Sequence, residues 1–220
     1  MDTSAARQAI FERIRKAHGR PAQSTAAEYE AVHDYLRRHP DGPRPGIGSD
    51  MLMRFKEQAI RMSDTVDEVA KWTDVPAAVV RYLDGISVVT KAIAWKTLDQ
   101  LAWAEAGMEV AFRRPENDDL VGITGSFCAV AETGSVMLLS GPDTYASASL
   151  LPETHVAILP ASRIVAGMED AFALVRAECG ELPRATSFIS GPSRTGDIEQ
   201  TIVLGAHGPY RVHVILVLNA

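Results

Sequence analysis

Three short segments concentrate the small and polar residues that could do chemistry, and each lies beside a predicted strand. They run from Thr124 to Ser135, from Ser190 to Glu199 and from Gly205 to Pro209. In open parallel sheets, ligands bind in the loops that leave the carboxyl ends of the strands. We therefore expect the first two segments to build a ligand site.

The second segment has the composition of an anion-binding loop. A glycine-rich turn that enters a helix exposes backbone N–H groups where the helix dipole favours an anion. Hydroxyl groups add donors, and the Arg194 guanidinium can bind phosphate or carboxylate through two parallel hydrogen bonds. The alternative is a structural turn in which Asp197 caps the helix and Arg194 pairs with a surface carboxylate. The predicted anion- or substrate-binding residues here are Gly191, Ser193, Arg194, Thr195, Gly196 and Asp197.

Glu132 and His207 are the predicted catalytic residues. Glu132 stands in a small, apolar run and precedes Thr133 and Gly134, which we assign to the same substrate site. Burial there would raise the carboxyl pKa for acid or base work, or the carboxylate could act as a covalent nucleophile. His207 lies in an Ala-His-Gly-Pro turn, where it could transfer a proton or bind a ligand. Each residue also has a structural alternative, which is to hydrogen-bond the neighbouring loop.

The sequence predicts no metal site. His155 and His213 could join Asp197 or Glu199 around an ion, but nothing fixes the ligand spacing. Two cysteines, 51 positions apart, are expected to be buried thiols. Packing in the core or at an interface is the expected use of the tryptophans, Trp72, Trp95 and Trp103.

The elements that must position these residues alternate between helices and short apolar strands from Asp50 onward. This alternation predicts an α/β fold with a mainly parallel central sheet and flanking helices. Predicted helices cover Met51 to Met62, Pro76 to Leu83 and Trp95 to Ala106. Predicted strands are Thr65 to Val69, Ile86 to Thr90, Val110 to Phe112, Leu120 to Thr124, Val136 to Ser140, Val156 to Pro160, Ser187 to Ser190 and Val212 to Leu218.

A helical N-terminal arm precedes this fold. Apolar residues recur at helical spacing from Ala6 to Ala17 and from Ala26 to His39, and a loop rich in proline and glycine follows from Pro40 to Gly48. We therefore divide the chain into an arm with its linker, residues 1–48, and an α/β domain, residues 49–220. The arm could pack on its own domain, on a second copy or on another subunit.

Composition and charge narrow the class of protein. The 220 residues carry a formal net charge of -6, which argues against general binding to nucleic acid or an anionic membrane. No stretch is apolar enough for a membrane span, and the N-terminus lacks the continuous apolar core of a signal peptide. We expect a cytoplasmic protein.

Several runs of the chain, from about His39 to its end, resemble the LutC (also LldG) proteins of bacterial lactate utilisation, the LUD-domain family. These runs are HPDGPRPGIGSD, GITGSFCAVAETGSVMLLSG, SLLPETHVAILP and FISGPSRTGDIEQTIVLGAHGPYRVHVILV. The resemblance implies a fold like that of the NagB/RpiA/CoA-transferase proteins. It also implies a place beside two iron–sulfur proteins in a system that oxidises L-lactate to pyruvate.

The resemblance further implies that this chain binds no cofactor itself and that the iron–sulfur clusters belong to its partners. Its ligand would be a small carboxylate or phosphate. Two alternatives stay open. One is a stand-alone enzyme, either a CoA-dependent acyl transferase that uses Glu132 or an isomerase or ligase that acts on a phosphorylated metabolite. The other is a scaffold subunit without catalytic activity.

Overall fold

The computed structural model describes residues 3–21, 23–46, 48–196 and 202–220, in two compact units, Met1–Arg44 and Pro45–Ala220. The first unit contains helices α1 (Ser4–Ala17) and α2 (Ala26–Arg38), and neither buries a side chain. Helix α2 begins at Thr25, whose hydroxyl accepts a hydrogen bond from the Glu28 N–H while the Glu28 carboxylate accepts one from the Thr25 N–H.

The second unit contains the helices α3 (Met51–Arg61), α4 (Val75–Gly85) and α5 (Met168–Cys179). Its strands are β1 (Thr65–Val69), β2 (Lys91–Ala94), β3 (Glu109–Ala111), β4 (Val121–Thr124), β5 (Cys128–Val130), β6 (Ser135–Leu139), β7 (Thr154–Pro160), β8 (Ile164–Val165), β9 (Thr186–Ile189), β10 (Arg194–Thr195), β11 (Val203–Leu204) and β12 (Arg211–Val217). No helix in the described ranges is long and apolar enough to cross a membrane.

Six strands form the central sheet in the order β1-β12-β7-β4-β2-β3, and every neighbouring pair is parallel. The predicted α/β class is therefore confirmed. Strand β12 lies between β1 and β7, and its residues from Val212 to Val217 are buried. This burial explains the nearly unbroken apolar run of its sequence, since a strand covered on both faces has no solvent side for polar residues.

Two predicted elements differ in the structure. The apolar run from Ile86 to Thr90 is not a strand, because α4 extends to Gly85 and Ser87 then turns the chain with a φ of 56°. The pairing strand is β2, which follows. The segment from Trp95 to Ala106 contains only the short 3-10 helix Lys96–Leu98 and turns, because Trp95 still pairs with β4 through its N–H and the Ile123 carbonyl.

A second sheet, which the sequence did not predict, has the order β8-β5-β6-β9. Strands β5 and β6 form a tight antiparallel hairpin, which Gly134 allows with a φ of 70°. A side chain at Gly134 would also collide with α3, because a Cβ there would lie 2.4 Å from the backbone nitrogen of Ala59. Helix α5 covers this sheet and buries Ala171 and Val175 against Cys128, Val130 and Met137.

The backbone packs closely at the centre of the parallel sheet, and a substitution of Gly122 in β4 tests this packing. A Cβ at Gly122 would lie 2.0 Å from the Ala148 carbonyl oxygen, so Gly122→Ala should lower the free energy of unfolding by about 3 kcal/mol, as overpacked core positions do. Urea unfolding measures the change. The control is Gly85→Ala at the end of α4, where a Cβ meets no atom within 4 Å. Equal stability of the two variants would contradict the close approach of β4 to Ala148.

Candidate functional site

A cavity of about 670 Å³ lies at the carboxyl edge of the central sheet. Three of its walls come from segments that leave parallel strands: Trp72 follows β1, Trp95 follows β2, and residues 125–127 follow β4. The opposite side comes from the ends of β6 and α5, which contribute Leu139 and Cys179. This is the edge at which open parallel sheets bind ligands, and the volume suits a small organic molecule.

Hydrogen bonds hold the aromatic walls of the cavity in place. Trp95 is only 4% exposed, and its indole N–H donates to the Tyr145 carbonyl at 3.0 Å. The Phe127 carbonyl accepts from Nε of Arg163 at 2.8 Å, and the Arg163 guanidinium lies over the Phe127 ring, 4.8 Å from its centre. The rings are therefore fixed by the surrounding structure before any ligand arrives.

The described lining of this cavity contains no positively charged side chain, and Arg163, which lies over the Phe127 ring, is paired. Arg163 binds the Glu178 carboxylate through two hydrogen bonds of 2.6 and 2.9 Å, and these bonds lower the pKa of Glu178. Among the described residues that line the cavity, Glu181 is the only charged side chain, and no lysine, arginine or histidine is present. The cavity thus lacks the cation that a carboxylate or phosphate needs.

The predicted anion-binding loop lies at the opposite edge of the sheet. Nη2 of Arg194 donates to the Met62 carbonyl at 2.9 Å and also bonds the Ser63 hydroxyl, and both residues immediately precede β1. Gly191, with a φ of 82°, packs so closely here that a Cβ would lie 2.2 Å from the Met62 carbonyl oxygen. Because the strands are parallel, residues that precede β1 lie at the amino edge.

Hydrogen bonds join the rest of this loop to the segment before β12. The Ser193 N–H donates to the Pro209 carbonyl, and the Gly205 N–H donates to the Ser193 carbonyl. His207 is exposed, and no side-chain partner for it occurs among the described residues. The loop leads into β10, which pairs antiparallel with β11. The helix predicted to follow it would begin at residues 197–201, which lie outside the described residues. Thr195 is buried in β10 and Gly196 is exposed.

Asp197, which we predicted as an anion ligand, lies outside the described residues. Its predicted role is therefore untested. The same holds for the predicted contribution of Glu199 to a metal site.

Glu132, Thr133 and Gly134 form the turn of the β5–β6 hairpin. Thr133 and Ser135 share a hydrogen bond of 2.7 Å between their hydroxyl oxygens, and Ser135 bonds the Ser190 hydroxyl in turn. This chain of hydroxyl groups joins the first predicted segment to the start of the second.

The Glu132 side chain lies beside other acids. A Cβ at Gly167 would be 3.4 Å from the Glu132 carboxylate, 3.3 Å from that of Glu169 and 3.6 Å from that of Asp170. No group of three or more described His, Cys, Asp or Glu side chains has the geometry to hold a metal ion.

The two buried histidines lie on opposite faces of the central sheet, so they cannot share a metal ion. His155 pairs in register with Val212, whereas His213 pairs with Val156, and neighbouring residues of a strand point to opposite faces. Nε2 of His155 lies 2.8 Å from the Thr124 hydroxyl, and burial lowers its pKa to about 3. His213 stacks on the Tyr82 ring at 3.8 Å between centres, and burial lowers its pKa to about 4.

Asp64 is a buried acid that the sequence analysis missed. It directly precedes β1 and is 5% exposed, and its Oδ1 accepts no hydrogen bond from the described residues. Burial raises its pKa to about 7, and the positive charge of Arg194 opposes this shift. The signal in the sequence was a single Asp between a helix end and an apolar strand, a pattern that surface turns share.

The cavity residues were also missed, since the tryptophans were assigned to packing. Trp95 is indeed buried, but its ring and that of Trp72 also line the cavity. The available signal was position, because each tryptophan follows a strand of the parallel sheet. One expectation about cysteine was wrong: Cys128 is buried, whereas Cys179 is exposed at the end of α5 and lines the cavity.

Fold and site together define an α/β protein with a ligand-sized apolar cavity at the carboxyl edge of a parallel sheet. The LUD domain family matches residues 52–217, so the chain belongs to the LUD domain family. This confirms the family that the sequence motifs indicated.

Named relatives agree with this assignment. The chain is 30% identical to Lactate utilization protein C of an Exiguobacterium species over 223 residues, which covers 96% of this chain and 95% of that protein. It is 36% identical to Lactate utilization protein C of Bacillus licheniformis over 118 residues, 52% of this chain and about half (49%) of that protein. The crystal structure of a DUF162 family protein from Deinococcus radiodurans shares the fold, with a TM-score of 0.59 and 21% identity, over 76% of this chain and 96% of that chain.

The raised pKa of Asp64 predicts a specific pH dependence of stability. Between about pH 4 and pH 7 the unfolded chain ionises this carboxyl while the folded protein keeps it protonated, so its contribution to the free energy of unfolding falls as the pH rises. Asp64→Asn removes this loss. Relative to the unsubstituted protein, it should therefore gain about 3 kcal/mol between pH 5 and pH 8.

Urea unfolding at the two pH values measures the Asp64→Asn effect. The matched control is Asp118→Asn, at an exposed position in the loop before β4. Its stability difference from the unsubstituted protein should not change with pH in this range. The same flat response from Asp64→Asn would show that the Asp64 carboxyl is ionised in the folded protein at pH 5.

Proposed function

We propose that this protein is a cytoplasmic subunit of a bacterial L-lactate utilisation system and that, with two iron–sulfur partner proteins, it supports the oxidation of L-lactate to pyruvate. The observation that carries the proposal is the alignment with Lactate utilization protein C of Exiguobacterium, which covers nearly the whole of both chains. An alignment of that extent includes the N-terminal arm as well as the LUD domain.

The small number of cysteines supports the placement of the iron–sulfur clusters in partner subunits. Oxidation of L-lactate to pyruvate removes two electrons and two protons, and the electrons need an acceptor. An iron–sulfur cluster takes several cysteine thiolates, whereas this chain has two cysteines, one buried in β5 and one at the end of α5. We infer that the clusters belong to partner subunits.

The amino-edge loop is the part of this chain that we propose for contact with a small anion or a partner. Only Nη2 of Arg194 has partners among the described residues, so Nε and Nη1 keep donors for a ligand. The side chain is exposed, and the Met62 carbonyl and Ser63 hydroxyl fix its position. Ser193 and His207 lie in segments that are hydrogen-bonded to one another beside it, while Glu132 stays a separate catalytic candidate.

Reconstitution tests the proposed function. The three purified proteins together should reduce a dye acceptor when L-lactate is added, and omission of this chain should abolish most of the rate. Omission of either iron–sulfur protein serves as the comparison, and a heat-unfolded sample of this chain controls for added protein. A full rate without this chain would show that it is not required for the oxidation.

The role of Arg194 is tested by anion binding to the isolated protein. If Arg194 binds an anion, Arg194→Ala should weaken the binding of L-lactate or phosphate by about 1.5 to 3 kcal/mol, the value of a hydrogen bond to a charged group. Arg194→Lys keeps the charge but loses the planar pair of donors. Its affinity for the anion should therefore lie between that of the unsubstituted protein and that of Arg194→Ala. Isothermal titration calorimetry measures each affinity.

The matched control for Arg194 is Arg176→Ala, at an exposed position in α5. This variant should bind the anion as the unsubstituted protein does. Unchanged affinity in a folded Arg194→Ala variant would remove Arg194 from the site.

A further inference from the structure

The size and apolar lining of the cavity at the carboxyl edge are not explained by the proposed function. L-lactate is a small anion, whereas the cavity holds about 670 Å³ and presents mainly aromatic and aliphatic surface. Pockets of this volume enclose molecules of drug size. The cavity is therefore larger and more apolar than lactate requires.

Aromatic rings supply the recognition surface. Trp95 keeps its orientation through the hydrogen bond from its indole N–H to Tyr145, and Gly125 leaves the edge of its ring uncovered. A Cβ at Gly125 would lie 3.8 Å from Cε3 of Trp95, at ordinary contact distance. Trp72 and Phe127 complete the aromatic walls. Planar ligands stack on such rings, and each aromatic pair adds about 0.5 to 1.5 kcal/mol beyond the area that it buries.

Electrostatics at the cavity disfavour a negatively charged ligand. Glu181 lines it, and Cys179 is the last residue of α5, so the helix ends here with its carbonyl groups and their partial negative charge. Arg163 lies over the Phe127 ring, but Glu178 neutralises it through two hydrogen bonds. The described lining itself therefore offers no cation to a phosphate or carboxylate.

Hydroxyl groups at the rim offer a donor to a polar edge of the ligand. The Ser140 oxygen accepts a hydrogen bond from the Ala185 N–H at 2.9 Å, which leaves its own hydrogen without an acceptor among the described residues. In contrast, the hydroxyls of Ser126 and Thr144 donate to the carbonyls of Ile158 and Leu139. Ser140 thus suits a carbonyl oxygen or a ring nitrogen.

We propose that this cavity is a binding site for an uncharged, planar aromatic molecule that carries a carbonyl or ring-nitrogen acceptor. The site is separate from the amino-edge loop that holds Arg194, since it lies at the other end of the parallel strands. It does not depend on the proposed role in lactate oxidation. Probe binding tests the cavity site, whereas reconstitution tests the role in lactate oxidation, so either proposal can be wrong without the other.

Two fluorescent naphthalene derivatives, one uncharged and one anionic, test the proposal. Prodan is an uncharged naphthalene that carries a ketone, and anilinonaphthalene sulfonate is an anion. Prodan should bind the full-length protein saturably, with a blue shift of its emission, and at least about tenfold more tightly than the sulfonate. Tighter binding of the sulfonate, or a Prodan signal that does not saturate, would overturn the proposal.

Substitutions that fill the cavity locate the bound probe. Gly125→Leu should weaken Prodan binding about tenfold or more by occupying the space beside Trp95. Thr97→Trp, at an exposed position of the wall, is a second filling variant if Gly125→Leu does not fold. Circular dichroism checks that each variant is folded. Unchanged Prodan affinity in a folded variant would place the probe elsewhere and contradict the site.

A charge reversal tests the electrostatic part of the proposal. Glu181→Lys should raise the affinity for the sulfonate while it leaves Prodan binding within about twofold. Glu153→Lys makes the same charge change at an exposed residue outside the cavity lining, and it should alter neither affinity. If both substitutions strengthen sulfonate binding equally, net charge and not the cavity determines the preference, and the proposal is wrong.

Discussion

The position of the last strand is the constraint on which the second unit depends. Strand β1 lies at the edge of the central sheet, and β12 is its only strand partner in the described residues, with pairs from Thr65 and His213 to Val69 and Val217. Helices α3 and α4 precede and follow β1, and α4 also contacts β12 directly through the stacking of Tyr82 on His213. Strand β12 also pairs along its whole length with β7, so it joins the edge strand β1 to the rest of the central sheet. The sequence run Val-His-Val-Ile-Leu-Val-Leu has the apolar character that such a central position requires.

Two buried histidines connect strands of this core through hydrogen bonds. His213 of β12 lies 2.8 Å from the Thr65 hydroxyl of β1 and stacks on Tyr82 of α4, so one side chain joins two strands and a helix. On the other face, His155 and Thr124 make a similar pair between β7 and β4. Burial lowers both histidine pKa values well below neutrality, and the rings therefore serve as uncharged hydrogen-bonding groups at physiological pH. Their sequence context predicted strand residues but did not reveal the faces on which they lie.

The sequence predicted the elements whose pattern is local. It did not predict the position of the loop after β9, because that strand belongs to a second sheet and runs in the opposite direction to β6. The parallel strands and the α/β class followed from apolar runs between helical segments. The location of Arg194 did not follow, because the sequence pattern does not distinguish the strands of the second sheet from those of the central sheet. Strand β9 belongs to the second sheet and runs antiparallel to β6, so the loop that leaves it reaches Met62 at the amino edge of the central sheet. Only the long-range pairing of β6 with β9 determines this reversal, and no spacing within either segment encodes it.

The two edges of the central sheet consequently have opposite chemistry. Arg194 and the hydroxyls near it gather at the amino edge, where Gly191 allows the loop to approach α3 closely, while the carboxyl edge presents Trp72, Trp95 and Phe127 beside Glu181. The two groups of residues lie at opposite ends of the parallel strands. The exposed Arg194 guanidinium is complementary to a small anion, and the aromatic rings at the carboxyl edge are complementary to a flat apolar molecule. The two edges therefore form separate candidate sites, even though the parallel strands and the glycine-rich loops look in sequence like parts of one site.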